Sequence, residues 1–283
     1  MIIKKILFEN FKNLKNFELS LASDVVLLDE VFNNCDVKMW KSDFFSGAKF
    51  VFNVFCEEND FALILNEQSK NSLKNGLTQI EKVRVAVEFQ ADENCFVLEK
   101  IATYHLCDNF VKLKDVQLLL NSKNLQINEH CDFCAQFYNH AFAFVSFLKK
   151  KTYGENLSRE LWMDRFISLL HFVDVDKERE QINKEMKHFK IAKKQLFLQL
   201  DEDNVPQWHK PKGGLYLNGD YSQMEDVLRF AYYHLALNKF LSKKFNRNLP
   251  IFVEDILSYL DEPAKMEFQK TLKTNFKNQV IYG

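Results

Sequence analysis

The stretch LPIFVEDILSYLDEP, residues 249–263, decides the reading of this chain: an apolar run ends in two adjacent acids, Glu254-Asp255, and Ser-Tyr-Leu-Asp follows at once. A short apolar run bounded by polar residues predicts a buried strand, here 249–255. Ser258 and Asp261 are side chains that cap a following helix, expected from about Glu262 to Phe276. Residues 278–283, NQVIYG, then read as a last strand. Upstream, YSQMEDVLRFAYYHLALNKFLSKKF (221–245) reads as a strong helix. Ser222 is its N-cap, and Glu225 three residues on completes a capping box. The C-terminal third therefore alternates helix, strand, helix, strand.

The first half reads differently. IKKILFENF (3–11), KNFELSL (15–21), DVVLL (24–28), KFVFNVF (49–55), FALILNE (61–67), EKVRVAVEFQA (81–91) and CFVLEKIATYH (95–105) carry short β-type runs between polar turns. VRVAVEF, DEN and CFVLEKI predict an antiparallel hairpin. From about Leu118 the spacing becomes helical, through residues 131–150 and 157–172. Between Lys177 and Leu200, the residues Ile182, Met186, Phe189, Lys193, Leu196 and Leu200 recur in steps of four and three, the seam of a coiled coil of about three heptads. Such an arm reaches about 30 Å. DEDNVPQWHKPKGG (201–214) is expected to end that helix as a loop. The expected organisation is a single domain over 1–283, with a mainly β lobe at 1–117, a helical and short coiled-coil insertion at 118–212 and a C-terminal lobe at 213–283.

Composition is that of an ordinary globular chain: 283 residues, 47% hydrophobic and 27% charged, with a net charge of −1. A balance of 38 basic and 39 acidic residues gives no long-range pull toward nucleic acid, so any basic patch must be local. No run approaches 18 apolar residues, and the N-terminus has no cleavable hydrophobic stretch, so no membrane partner and a cytoplasmic location are expected. Six scattered cysteines in a chain of this size favour reduced thiols.

The order of helix, strand ending in two acids, Ser-x-Leu-Asp, helix and strand resembles the ATP-binding-cassette heads of the SMC class and its RecF, RecN and SbcC relatives. The opening IKKILFENFKNLKNFEL (3–19) is similar to that family's first pair of strands, and residues 83–101 to its antiparallel subdomain. The resemblance implies a mixed α/β sheet with flanking helices, an antiparallel β subdomain and a truncated coiled-coil arm. It also assigns motif positions, and there this chain departs from the family. A phosphate-binding loop uses glycines to bring backbone N–H groups around phosphates, a lysine to neutralise them and a hydroxyl to hold magnesium. Placed after DVVLL, those glycine, lysine and hydroxyl positions fall on Asp29, Asn34, Cys35 and Asp36. Like charges about 4 Å apart repel by about 1 kcal/mol even in water, so the carboxylates of Asp29, Glu30 and Asp36 would oppose phosphate. The signature positions fall on Tyr221, Ser222, Gln223, Met224 and Glu225, where Ser222 and Glu225 keep the family's residues and side chains replace the glycines. Glu254 takes the magnesium-positioning Asp position, and Asp255 that of the catalytic Glu. Ser258 and Asp261 occupy the D-loop positions.

The resemblance thus implies a degenerate head that binds or scaffolds in DNA repair, recombination or defence without hydrolysing ATP. Its partner would be a true ATPase head, a nuclease or a second copy of the chain. No cofactor is expected on this reading. The alternative is a divergent ATPase using ATP and magnesium, with Glu254 on the metal and Asp255 polarising water. A third reading is a metal-stapled interaction domain: His130, Cys131, Cys134 and His140 have a spacing that can supply zinc ligands, although on a helix both cysteines also suit core packing. DNA contact is a further expectation, through Lys149, Lys150, Lys151, Lys190, Lys193 and Lys194; a solvated helix face explains the same lysines.

Overall fold

The computed structural model describes residues 2–12, 14–21, 23–33, 41–52, 79–91, 93–107, 110–124, 146–149, 174–191, 194–210, 214–215, 222–244, 246, 248, 250–254 and 256–283. The chain divides into two compact units, Met1–Phe142 and Ala143–Gly283.

The first unit is built on an antiparallel sheet in the order β2-β1-β4-β5-β6-β7. Its strands are β1 (Ile2–Phe11), β2 (Leu14–Ser20), β4 (Gln79–Ala91), β5 (Asn94–Cys107), β6 (Phe110–Leu120) and β7 (Lys123–Asn124). The expected hairpin is present, with Ala91 paired to Asn94 and the register continuous to Gln79 and Leu106. β6 runs through Leu118 to Leu120, so the change to helical spacing expected there is not seen within β6. The strand β3 (Val25–Leu27) leads directly into α1 (Leu28–Asn33).

Of the 49–55 stretch, expected as a strand, residues 49–52 form the end of a helix, α2 (Lys41–Phe52), and 53–55 lie outside the described residues. Phe44, Ala48 and Val51 recur at helical spacing and are all buried, whereas a strand reading used only the alternation that follows Lys49. Gly47 is the reason α2 can lie close to β1: a Cβ there would stand 2.2 Å from Phe8 Cε1. Around this contact Phe8, Phe11, Phe17, Phe44 and Phe45 form a cluster with neighbouring centroids 5.5–6.3 Å apart. Across β1, β4 and β5, Arg84 pairs with both Glu9 and Glu99, so its guanidinium is held between two carboxylates.

In the second unit the expected helix from Lys177 to Leu200 is divided. Helix α3 covers Val175–Met186, capped by Asp174, whose carboxylate accepts from the Lys177 N–H at 3.3 Å. The chain then turns into β9 (Lys190–Ile191) and β10 (Leu196–Leu200). The stretch 201–214, expected as a loop, instead contributes β11 (Pro206–Lys210) and the start of β12 (Gly214–Leu215). The sheet order is β12-β11-β10-β9, antiparallel throughout. The physical reason is that four is a multiple of two: Leu196 and Leu200 lie on one face of a helix, and equally on one face of a strand. Ile182, Met186, Phe189, Leu196, Leu198 and Leu200 are all buried, so the apolar seam is real but is shared between a helix and a sheet. The DEDN segment makes the tight turn of the β10–β11 hairpin. Asp201 accepts the Asp203 and Val205 N–H groups at 3.0 and 2.8 Å, and Asn204 takes a φ of 62°. The coiled-coil arm is thereby replaced by a compact helix-and-sheet layer.

The remaining elements are α4 (Gln223–Lys244), β13 (Ile251–Glu254), a 3-10 turn (Ile256–Tyr259), α5 (Glu262–Asn275) and β14 (Val280–Tyr282), as expected from the 249–263 stretch. β13 pairs in parallel with both β14 and β8 (Ser146–Lys149). β8 corrects another expectation, because residues 146–149 were read as part of a helix. Tyr232 of α4 is the hub of this unit's core, stacked on Phe189 at 5.1 Å and on Phe268 at 5.9 Å, with Trp208 edge-on at 6.2 Å. Among the described residues, no helix is long and apolar enough to cross a membrane.

Candidate functional site

The candidate positions fall in three places. In the first unit, the segment expected to wrap phosphates begins as helix α1 immediately after β3. Asp29 stands in its first turn and pairs with the ammonium of Lys41, at the start of α2, at 2.6 Å. Asn34, Cys35 and Asp36 lie outside the described residues. Lys41 was not singled out by the sequence reading, because nothing local marks it as the partner of Asp29.

In the second unit, the signature positions lie at the N-terminus of α4. Ser222 and Glu225 satisfy one another: the Ser222 N–H donates to Glu225 Oε2 at 2.9 Å, and the Glu225 N–H donates to Ser222 Oγ at 3.3 Å. This is the expected capping box. Gln223 is exposed and Met224 half-buried, while Glu225 is wholly buried. A buried carboxylate needs a partner, and the ammonium of Lys194 supplies one at 2.5 Å from Oε1. Burial opposes ionisation of Glu225, but the Lys194 ammonium and the Ser222 hydrogen bonds outweigh it and hold the carboxyl below its usual range.

The same helix end is tied to the β9–β12 sheet. The Trp208 indole N–H donates to the Glu225 carbonyl at 3.0 Å, and Arg229 bridges Asp226 at 2.5 Å and Gln207 at 3.1 Å. Electrostatically this N-terminus already carries an anion of its own chain. Sequence reasoning found the box, which is local, and missed Lys194 as its counter-ion.

The third place is the end of β13. All four of its residues are buried, and Glu254, 5% exposed, is in register with Lys149 of β8. Asp255 lies outside the described residues. Asp261 is the N-cap of α5, accepting from the Ala264 N–H at 2.8 Å, with Pro263 in the first turn. Ser258 lies within the 3-10 turn rather than at the cap, so only one of the two expected capping residues has that role.

The lysines proposed for DNA separate. Lys194 is committed to Glu225, Lys190 is exposed on β9, and Lys149 belongs to β8; Lys150, Lys151 and Lys193 lie outside the described residues. His130, Cys131, Cys134 and His140 also lie outside them. Among the described residues no group of three or more His, Cys, Asp or Glu side chains is placed to hold a metal.

No family model matches the sequence, and no curated protein does. Solved structures do. The chain is similar to the recombination mediator protein RecF of the RecFOR pathway in two structures, RecF-ATPrS and RecF-ATP. The first is 12% identical with a TM-score of 0.58, over 99% of this chain and 92% of that one. The second is 13% identical with a TM-score of 0.59, over 99% and 93%. The likeness spans the whole chain at an identity that carries fold and nothing finer: a mixed α/β fold like that of the RecF structures.

Proposed function

We propose that this chain is a RecF-like head that binds or scaffolds in DNA repair, recombination or defence, without hydrolysing ATP. The observation that carries the reading is the N-terminus of α4, where Gln223 and Met224 put side chains at the positions that the resemblance gives to glycines, beside the Ser222–Glu225 cap that Lys194 neutralises. In a head that works with nucleotide, backbone N–H groups and the helix dipole at this place favour an external phosphate. Here a phosphate would meet the Gln223 and Met224 side chains where glycine backbone would let it approach. The pairing of Lys41 with Asp29 supports the same reading, since that lysine's charge is already matched within the chain. The expected partner is a protein, either an active ATPase head, a nuclease or a second copy, with DNA as the shared substrate of the assembly.

Calorimetric titration of ATP into the purified chain, with and without magnesium, tests this. The expected result is no magnesium-dependent binding tighter than about 100 μM, which corresponds to about 5.5 kcal/mol. Tighter, magnesium-dependent binding would overturn it.

The alternative of a divergent ATPase draws on the ATP named with both RecF structures and on Glu254, which keeps a carboxylate at the end of β13. Turnover that needs magnesium and disappears in Asp255→Ala would establish that alternative.

A further inference from the structure

At the end of α4 remote from Ser222, a cleft of about 400 Å³ opens among the last turns of that helix, residues 246 and 248, and the segment following α5. A helix of 22 residues separates the two places by about 33 Å, so the cleft is distinct from the capped N-terminus. Its polar lining includes Lys239, Lys243 and Lys277 with Asn246, Asn248 and Asn275, and among the described residues no acidic one lines it. The charge is unbalanced. Lys239 and Lys243 share a single carboxylate, Glu185 of α3, at 3.7 and 2.5 Å. Lys277 forms no ion pair with any described residue. Three ammonium groups therefore stand against one carboxylate.

Structural duties account for part of this lining. Lys243 lies in the last turn of α4, where a cation offsets the carbonyl end of the helix dipole. Asn246 takes a φ of 52° and its N–H donates to the Lys243 carbonyl at 3.3 Å, a left-handed residue closing the helix. Asn278 forms part of the wall, donating to the fully buried Asn238 at 3.1 Å. Lys277, Asn248 and Asn275 are left without such a duty. The carboxamides of Asn248 and Asn275 make no hydrogen bond with a described residue, and each presents both a donor and an acceptor.

We propose that this cleft takes a nucleotide unit of single-stranded nucleic acid, its phosphate against Lys239, Lys243 and Lys277 and its base or sugar against Asn248 and Asn275. Net positive charge selects the phosphate, and neutral amides suit base edges in a way that a purely basic surface does not. The volume is that of a small-ligand site, room for a single nucleotide unit. A free nucleotide carries the same chemistry, so the test separates the two sources. The proposal goes beyond the scaffold reading and does not rest on it, because no step involves ATP hydrolysis or the α4 N-terminus.

The experiment is fluorescence anisotropy of the intact chain with a labelled ten-nucleotide single strand, at several salt concentrations. Adenosine monophosphate and polyglutamate serve as competitors. Lys277→Glu is expected to weaken binding about tenfold and to lower the salt slope by about 0.7, the loss of one single-strand phosphate contact. Asn248→Ala, at an exposed position, is expected to weaken binding several-fold while leaving the slope unchanged. Thermal melting checks that both variants fold.

Competition by the monophosphate below millimolar concentration would assign the site to free nucleotide and reject the strand as its occupant. Three results would overturn the site itself: no binding of strand or monophosphate, affinities within twofold of the parent in both variants, or displacement of the strand by polyglutamate at equal charge. In the calorimetric test, heat from this cleft persists without magnesium and is lost in Lys277→Glu, which separates it from a functional phosphate loop.

Discussion

Replacing Lys194 with Met removes the counter-ion of a buried carboxylate while keeping an unbranched apolar stem in place. Glu225 is 1% exposed and Lys194 47% exposed, with 2.5 Å between Oε1 and Nζ. Stripping a partner from a fully buried pair costs about 3–5 kcal/mol, and from an exposed pair about 0–1 kcal/mol. The half-exposed ammonium places this pair between them, at about 1–2 kcal/mol, which lowers the melting temperature by about 3–6 °C. The pH dependence identifies the cause. The Glu225 carboxyl is depressed in the folded state, so its contribution is complete above the unfolded value of 4.5 and is lost as pH falls through the lower folded value. Thermal unfolding followed by circular dichroism should therefore show a gap between parent and Lys194→Met that is full at pH 7 and closes below about pH 4.5. Combining it with Glu225→Gln should cost less than the sum of the two single changes. A gap that is unchanged from pH 7 to pH 3, or strictly additive single effects, would refute the assignment of Lys194 as the neutralising partner.

Two further substitutions test the packing that positions the candidate places. Gly47→Ala inserts a Cβ 2.2 Å from Phe8 Cε1, so the α2–β1 contact must open, and a loss of about 1–3 kcal/mol in urea unfolding is expected. An unchanged midpoint would mean that Phe8 moves freely, against its complete burial. Asp261→Ala removes the N-cap of α5 and should cost about 1 kcal/mol, while Asp261→Asn, which keeps the acceptor, should cost much less. Equal losses in the two variants would show that charge rather than capping is what Asp261 supplies.

What the sequence made legible follows from how local each signal is. The elements from 249 to 283 are marked by punctuation that acts over three or four residues: acids ending an apolar run, Asp261 before Pro263, and the reciprocal Ser222 and Glu225 at the head of α4. The division of 177–200 carried no such mark. No Gly or Pro lies between Met186 and Leu196, and α3 ends on Lys187 in an ordinary helical conformation. The turn is fixed by tertiary contacts instead, among them the donation of the Leu200 N–H to Asn183 Oδ1 at 2.8 Å. Charge pairing was hidden for the same reason, since Asp29 with Lys41 and Lys194 with Glu225 meet only after the chain has folded.

The capped N-terminus of α4 also bears on how a helix start can be stabilised from within its own chain. A helix start leaves N–H groups and a partial positive charge that some partner must satisfy. Glycines in the signature positions leave that end open to an external anion, at the expense of backbone order. The resemblance places Gln223 and Met224 at those positions, and Glu225 folds back on Ser222, with Lys194 completing the charge balance. On the proposed reading these changes belong together: a head whose α4 supplies its own anion keeps the packing of Tyr232, Phe189 and Trp208 in the absence of nucleotide. Lys194 then contributes to the stability of the helix rather than to the recognition of DNA, and contact with nucleic acid falls to surfaces elsewhere in the unit, such as the cleft beside Lys277.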